Sequence, residues 1–448
     1  MSKDSLSRMR LRSAAVVVGA LLALAPSIAR AEDSGLTLET AVRLALTRNE
    51  RALAAGAQIK AAEARVTRAR SYFMPTLTTT GTYTRRPFEV KRKVGDTDIV
   101  IQSYNAFGAV AQVNMTLFDA RSIPALLQAN SERDAQRFAS AESLRQLSFE
   151  VSNAFLATLG TDQVLEASRN RFEYARQALE AAKARYAAGL VSVNDVTRAE
   201  LEYATAEMGV IQVKGQVETT YLELGFLLDD SVAARKKLVI PEFLLREAAD
   251  GPPVVERMIA EAQDRRLDLG SLRYQAKAQH ALMIEPTLRW LPSLSFNGQY
   301  RYTNESGLTG RPTNWNLGLT LSWAIFDGFS RNADYKERKA LAVLADLDVK
   351  TVMRKIELDV RDALVSLDNQ RATLKQAGIA RDVARKNATE TAELYRQGLG
   401  TALQAADANV RLFEAEVELV RERYGLGIAF LNLEAALGLD PFGKEPTL

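Results

Sequence analysis

Side chains able to do covalent or metal chemistry are scarce in this 448-residue chain, which has no cysteine and one histidine, His280. The missing thiols exclude disulfides, thiolate metal sites and cysteine nucleophiles. With a single imidazole, histidine-cluster zinc sites and histidine-dependent triads lack their parts, and His280 reads as a structural or solvent-facing residue on a helix. Carboxylates are plentiful, 55 Asp and Glu against 58 Lys and Arg. Nearly all lie in helical sequence beside basic neighbours, the pattern of solvated helix faces. Gly425-Leu426-Gly427 is a pair of glycines inside a helix pattern and makes no phosphate-cradling loop. These types and spacings point away from catalysis, nucleotides and cofactors. What remains is geometry, so the elements must be read for what they could position.

The chain is 25% charged and 47% hydrophobic, the balance of a folded protein. Its net charge of +3 does not describe the mature chain. Residues 1–31 read as a secretory signal peptide: Lys3, Arg8, Arg10 and Arg12 form a basic start, Ala14 to Ala25 an apolar segment, and Ala29-Arg30-Ala31 a small-x-small cleavage site. That segment carries a net +4, so removing it leaves about −1 and no electrostatic case for nucleic acid. No later stretch is apolar for the ~18 residues that a transmembrane helix needs.

The stretch from Pro124 to Leu228 organises the rest. It is rich in Ala, Leu, Glu, Lys, Arg and Gln, the strong helix formers. It breaks once, at Ala188-Gly189-Leu190-Val191-Ser192, where Gly189 suits a left-handed helix end and Ser192 with Asp195 suits the start of the next helix. The first arm would be roughly 100 Å long and must pack along other helices as a coiled coil or tube. Around it, elements recur in one order. Repeat one occupies 32–228: a helix from about Leu38 to Tyr72, Pro75, strands at about 76–84 and 106–118 flanking the charged stretch Arg85 to Asp98, Phe118-Asp119, and the long hairpin 124–228. A linker, 229–253, carries Pro241, Pro252 and Pro253. Repeat two occupies 254–448: a helix to about Trp290, Pro292, strands at about 293–303 and 315–326, Phe326-Asp327-Gly328, and a hairpin 330–437 with its tip at Gly398-Leu399-Gly400-Thr401.

In the strands the period falls from 3.6 to 2. Leu294, Phe296, Gly298, Tyr300 and Tyr302 alternate with Ser293, Ser295, Asn297, Gln299 and Arg301, and Trp315, Leu317, Leu319, Leu321, Trp323 and Ile325 alternate with Asn316, Gly318, Thr320 and Ser322. Such alternation also fits a half-buried sheet in a soluble protein, but runs of this length suit tilted transmembrane strands. Trp315 and Trp323, eight residues apart, would stand about 26 Å apart, like interface girdles. Tyr300 and Tyr302 share that face. Four strands cannot close a channel, and open edges are not tolerated in lipid, so several chains must contribute to one barrel.

Two tandem copies of helix, β-hairpin, long helix and return helix behind a signal peptide resemble the TolC-type outer-membrane efflux proteins. The resemblance rests on Leu36 to Asn49, Pro75 and Pro292, Phe118-Asp119 and Phe326-Asp327-Gly328, and the two tips. It implies a mainly α fold with a membrane β-barrel: a homotrimer whose 12-stranded barrel sits in outer-membrane lipid and continues as a periplasmic α-helical tube. The implied partners are a periplasmic adaptor and an inner-membrane pump, proton-driven or of the ABC type, with no cofactor. Family tip residues that meet the adaptor fall on Gly189, Leu190, Gly398 and Leu399. The family's constriction residues fall on Asp195, Gln404 and Asp407, of which Gln404 is not an acid. Tyr395 matches the tyrosine of the closing link, while the link's arginine falls on Gly400. A ring of Asp407 carboxylates would favour cations. Read from the helices alone, Asp407 is equally a solvated face acid and Asp195 a first-turn acid favoured by the helix dipole.

Two other classes compete with a passive exit duct in a tripartite efflux or type I secretion system. A periplasmic coiled-coil scaffold or adaptor without a pore would have no membrane strands. An exported hydrolase would need a carboxylate pair off the solvated faces.

Overall fold

The computed structural model describes residues 35–242, 254–305 and 311–446. The expected signal peptide and the linker from 243 onward lie outside the described residues. Repeat one consists of α1 (Leu38–Arg48), α2 (Glu50–Ser71), β1 (Thr76–Arg85), β2 (Val90–Val94), β3 (Thr97–Gln102), β4 (Asn105–Phe118), α3 (Ser122–Ala187) and α4 (Val193–Leu228), followed by one turn, α5 (Ser231–Ala234). Repeat two consists of α6 (Val255–Arg265), α7 (Leu267–Met283), α8 (Glu285–Leu288), β5 (Ser293–Thr303), β6 (Thr313–Ser322), α9 (Ser330–Arg396) and α10 (Ala402–Ala436).

The first helix of each repeat, expected to be continuous, is broken near its start at a polar residue, and that of repeat two is interrupted again at Ile284. At Asn49 ψ swings to 136°. Its side chain caps α2 through the Arg51 N–H at 2.9 Å and donates to the Leu227 carbonyl at 3.0 Å. At Arg266 ψ is 119°, and its guanidinium reaches Asp268 and Asp359 at 2.6 and 2.8 Å. In both places helix continuity is exchanged for a tie to a long rod. The charged stretch after β1 folds into the two-stranded hairpin β2–β3. β6 stops at Ser322, so Trp323 and Ile325 follow the strand rather than belong to it.

At ~1.5 Å per residue, the 66 residues of α3 and 67 of α9 each run about 100 Å. Their cores sit at mid-length. Leu38, Ala41, Val42 and Ala45 of α1 pack among Leu147, Val151, Phe155 and Leu156 of α3 and Leu224 and Leu228 of α4. Met258, Ala262 and Leu269 pack in the corresponding way among Ile356, Val360 and Leu367 of α9 and Leu426 and Leu433 of α10. Between these clusters α3 crosses to repeat two. Arg145, buried, holds Glu142 by two bonds of 2.8 Å and donates to the carbonyls of Ala435 and Leu439 at 3.0 and 3.1 Å. Phe138 stacks on Tyr274 of α7, with ring centroids 5.4 Å apart. The segment before α1 pairs with the linker through the parallel bridge of Leu36 to Leu238.

The other four strands form one antiparallel sheet in the order β1-β4-β5-β6. The central pair β4–β5 joins the two repeats, with Asn114 opposite Asn297 and Ala111 opposite Tyr300. Among the described residues the outer edges of β1 and β6 have no partner strand.

Candidate functional site

The register sorts the sheet into two faces. On one, Thr78, Gln112, Gln299 and Asn316 line up across all four strands, with Thr76, Asn114, Asn297 and Gly318 in the next row. On the other, Leu77, Leu317, Leu319 and Leu321 stay between 65 and 69% exposed. A row of bare leucines this size is not left in water. Trp315, Tyr300 and Tyr302 occupy that apolar face at the end far from the helices, where Tyr300 faces Trp315 directly. Tyr83 and Phe107 join them, ring centroids 5.0 Å apart; the sequence reading left these two out of the girdle. Trp323 lies at the opposite end. Its indole N–H donates to the Trp290 carbonyl at 3.1 Å, and the Trp290 ring carries the buried Arg331 guanidinium 4.0 Å from its centroid. Arg331 also holds Asp327 at 2.8 Å. In repeat one Asp119 plays the matching part, accepting from the Tyr72 hydroxyl and from Arg121, each at 2.6 Å. The two Phe-Asp turns thus clamp strands onto rods. Among the described residues no helix is long and apolar enough to cross a membrane.

At the far ends of the rods the two tips are built alike. Gly189 and Gly398 have φ of +71° and +78°, the left-handed position that closes a helix. The N–H of Leu190 returns to the Arg185 carbonyl and that of Leu399 to the Leu394 carbonyl, both at 2.9 Å. Leu190 and Leu399 are each 74% exposed. The return helices open with reciprocal caps. Asp195 accepts from the Ser192 N–H at 3.2 Å; Gln404 accepts from the Thr401 N–H at 3.0 Å, while its own N–H donates to the Thr401 hydroxyl at 3.3 Å. Asp195 and Gln404 therefore have a local helix-starting role whatever else they do. Asp407 is exposed and accepts from Arg411, one turn on, at 2.9 Å. Gln404 and Asp407, three residues apart, share one face of α10. Ala402, Ala405, Ala406 and Asn409 line a groove of ≈ 580 Å³ between the two hairpins.

That groove is bridged by a residue the sequence reading did not single out. Arg185, on α3, places its guanidinium 4.3 Å from the Tyr395 ring centroid and donates to the carbonyls of Tyr395 and Arg396 at 3.0 and 3.1 Å. Higher up, Arg171 pairs with Glu202 at 2.8 Å and lies 5.0 Å from the Phe413 ring centroid on α10. At Gly400, where the family's arginine would fall, a Cβ would stand 3.2 Å from the Tyr395 backbone nitrogen. The turn is tight there, and the cation beside Tyr395 is Arg185 of the other repeat.

The family model of the outer membrane efflux proteins matches residues 41–229 and 258–439, which takes in both repeats. The chain is 22% identical to outer membrane protein TolC of Vibrio cholerae, over 86% of this chain and 87% of that protein, and 24% identical to that of Salmonella enteritidis over 75% and 69%. Its fold superposes on the outer membrane protein VceC of Vibrio cholerae with a TM-score of 0.73 at 16% identity, covering 90% of this chain and 96% of the other. For the Campylobacter jejuni CmeC outer membrane channel the TM-score is 0.76 at 15% identity, with 92% and 87% covered. Duplicated rods, a sheet with one lipid-ready face and a family match across both repeats agree: the chain belongs to the outer membrane efflux protein family.

Proposed function

We propose that three copies of the chain form a passive exit duct. Their sheets join edge to edge into a 12-stranded barrel in the outer membrane, and their hairpins continue it as a tube into the periplasm. The observation that carries this reading is the sheet itself. It has one face of bare leucine and tryptophan, one of mostly uncharged polar side chains, and, among the described residues, two unpaired edges that lipid does not tolerate. Closure by other copies satisfies all three features. The exposed leucines at the tips, Leu190 and Leu399, are the docking points for a periplasmic adaptor, whose inner-membrane pump supplies the energy. Arg185 on Tyr395 holds each protomer's two hairpins together at the tip, so that the periplasmic end rests closed. Asp407, on the α10 face turned from the groove, projects toward the axis with its charge partly answered by Arg411.

The chain has no cysteine, so Leu399→Cys gives a uniquely assigned crosslink in cells. Capture of an adaptor supports docking at the tips; capture of neighbouring copies supports the closed trimer. A folded, membrane-embedded protein that captures neither overturns the placement of the tips. In planar bilayers Arg185→Ala should raise single-channel conductance severalfold, and an unchanged conductance would remove Arg185 from the closing link.

A further inference from the structure

The four barrel strands contain no Asp or Glu, and their only ionisable cations are Arg85 and Arg301. The register separates these two. Arg85 follows Leu77, Gly81 and Tyr83 on the apolar face, donates to the Asn105 side chain at 2.7 Å and lies 5.6 Å from the Tyr104 ring centroid. Arg301 follows Ser293, Ser295, Asn297 and Gln299 on the polar face, between Val110 of β4 and Asn314 of β6. Among the described residues no carboxylate lies within ion-pair distance of it. The nearest acid by sequence, Glu305, is occupied by Arg86 and by the Ser103 N–H at 2.7 Å. Residues 306–310, Ser-Gly-Leu-Thr-Gly, contain nothing ionisable.

We infer that Arg301 forms an anion-favouring ring just inside the outer mouth of the duct, and that this ring biases what passes or enters toward anionic solutes and against cationic ones. The inference rests on reading the sheet as a barrel with its polar face inward. A 12-stranded barrel tilted at about 40° has a backbone radius of about 12 Å. An arginine reaching inward from that wall leaves an ion on the axis within one Debye length of its charge, about 8–10 Å at 0.1–0.15 M salt. The rest of the lumen face carries no charged side chain, so nothing in the strands cancels the field. At the far end of the duct Gln404 carries no charge and Asp407 is paired.

The test reads the local potential directly, so the periplasmic end cannot mask it. Asn314→Cys places one thiol beside Arg301 in an otherwise cysteine-free chain. In the reconstituted full-length protein its modification rates by an anionic and a cationic methanethiosulfonate are compared, normalised to the same ratio for free thiol. A unit charge at ~6 Å in water changes each rate about threefold in opposite senses, so the ratio should favour the anionic reagent by roughly tenfold. Adding Arg301→Gln should abolish the preference, Arg301→Glu should invert it, and 1 M salt should flatten it. An equal ratio with and without the Arg301→Gln substitution overturns the ring. A thiol at 314 that reacts with neither aqueous reagent, in protein folded and inserted, overturns the facing of the sheet as well.

Discussion

Replacing Arg145 by methionine should loosen the middle of the rod far more than any surface ion pair would. The side chain is 6% exposed and its partner Glu142 11%. The substitution removes both bonds to Glu142 and both to the carbonyls at the end of α10. Glu142 keeps only Gln146, at 2.9 Å. The Ala435 carbonyl still accepts from Gly438, but the carbonyl of Leu439 loses its donor. Removing one member of a buried pair costs about 3–5 kcal/mol, because the other charge stays desolvated. Glu142→Leu with Arg145→Met removes that stranded charge and leaves one carbonyl unpaired, worth about 1–3 kcal/mol. The double variant should therefore be about 2 kcal/mol more stable than the single one. A chain this long need not unfold in one step, so the assay is native-state hydrogen exchange of the amides around Leu433 to Leu439. Exchange should quicken by about two to four orders of magnitude in Arg145→Met and recover by more than tenfold in the double variant. Exchange within about threefold of wild type in Arg145→Met, or a double variant no slower than the single, refutes the reasoning.

Three further outcomes follow from the same geometry. Gly270→Ala puts a methyl 2.5 Å from the Phe138 ring and must disturb its stack on Tyr274; overpacking of this kind costs about 1–3 kcal/mol, so the thermal midpoint should fall, and an unchanged midpoint would mean that α3 and α7 are less closely packed. Gly398→Ala meets no neighbour within 4 Å, so its whole effect is the strain of a left-handed residue, about 1–2 kcal/mol, visible as faster proteolysis at the tip and absent in a substitution of exposed Leu399. Burial would push the Asp268 carboxyl up, but the hydrogen bonds and charge of Arg266 outweigh it and hold it below the usual value. A depressed carboxylate stabilises the fold above its unfolded value, about 3.9, and that contribution disappears as pH falls through the folded one. Asp268→Asn should thus flatten the acid limb of the stability profile below about pH 4, and an unaltered limb would assign it to other carboxylates.

What was legible in the sequence is what periodicity and punctuation encode. The strands announced themselves by alternation, the rods by composition, and the tips by Gly189 and Gly398, whose backbone angles require glycine. Asn49 and Arg266 were not legible as breaks, because each is an ordinary helix-surface residue until a carbonyl or carboxylate from a distant rod rewards the kink. Arg185 was hidden for the same reason: its partner Tyr395 lies 210 residues away, and repeat two has Leu394 at the matching place. Asp195 and Gln404 show the converse. Resemblance directed attention to a pore, while the spacing Ser192–Asp195 and Thr401–Gln404 already spelled two helix starts. Arg301 was visible as one more polar residue of an alternating strand, and only the cross-strand register isolates its charge.

In the threefold duct proposed above, the two bare edges of the sheet also decide how faults in this chain are inherited. An allele that spoils only the outer edge of β6, such as a proline there, leaves its own four strands paired and its rods intact. Its product still enters barrels with sound copies and leaves each one with a seam. In a threefold ring the sound barrels fall as the cube of the wild-type fraction, to about one in eight at equal expression. Such alleles should be dominant. A lesion in either mid-rod core removes the chain before it can join others, and should be recessive.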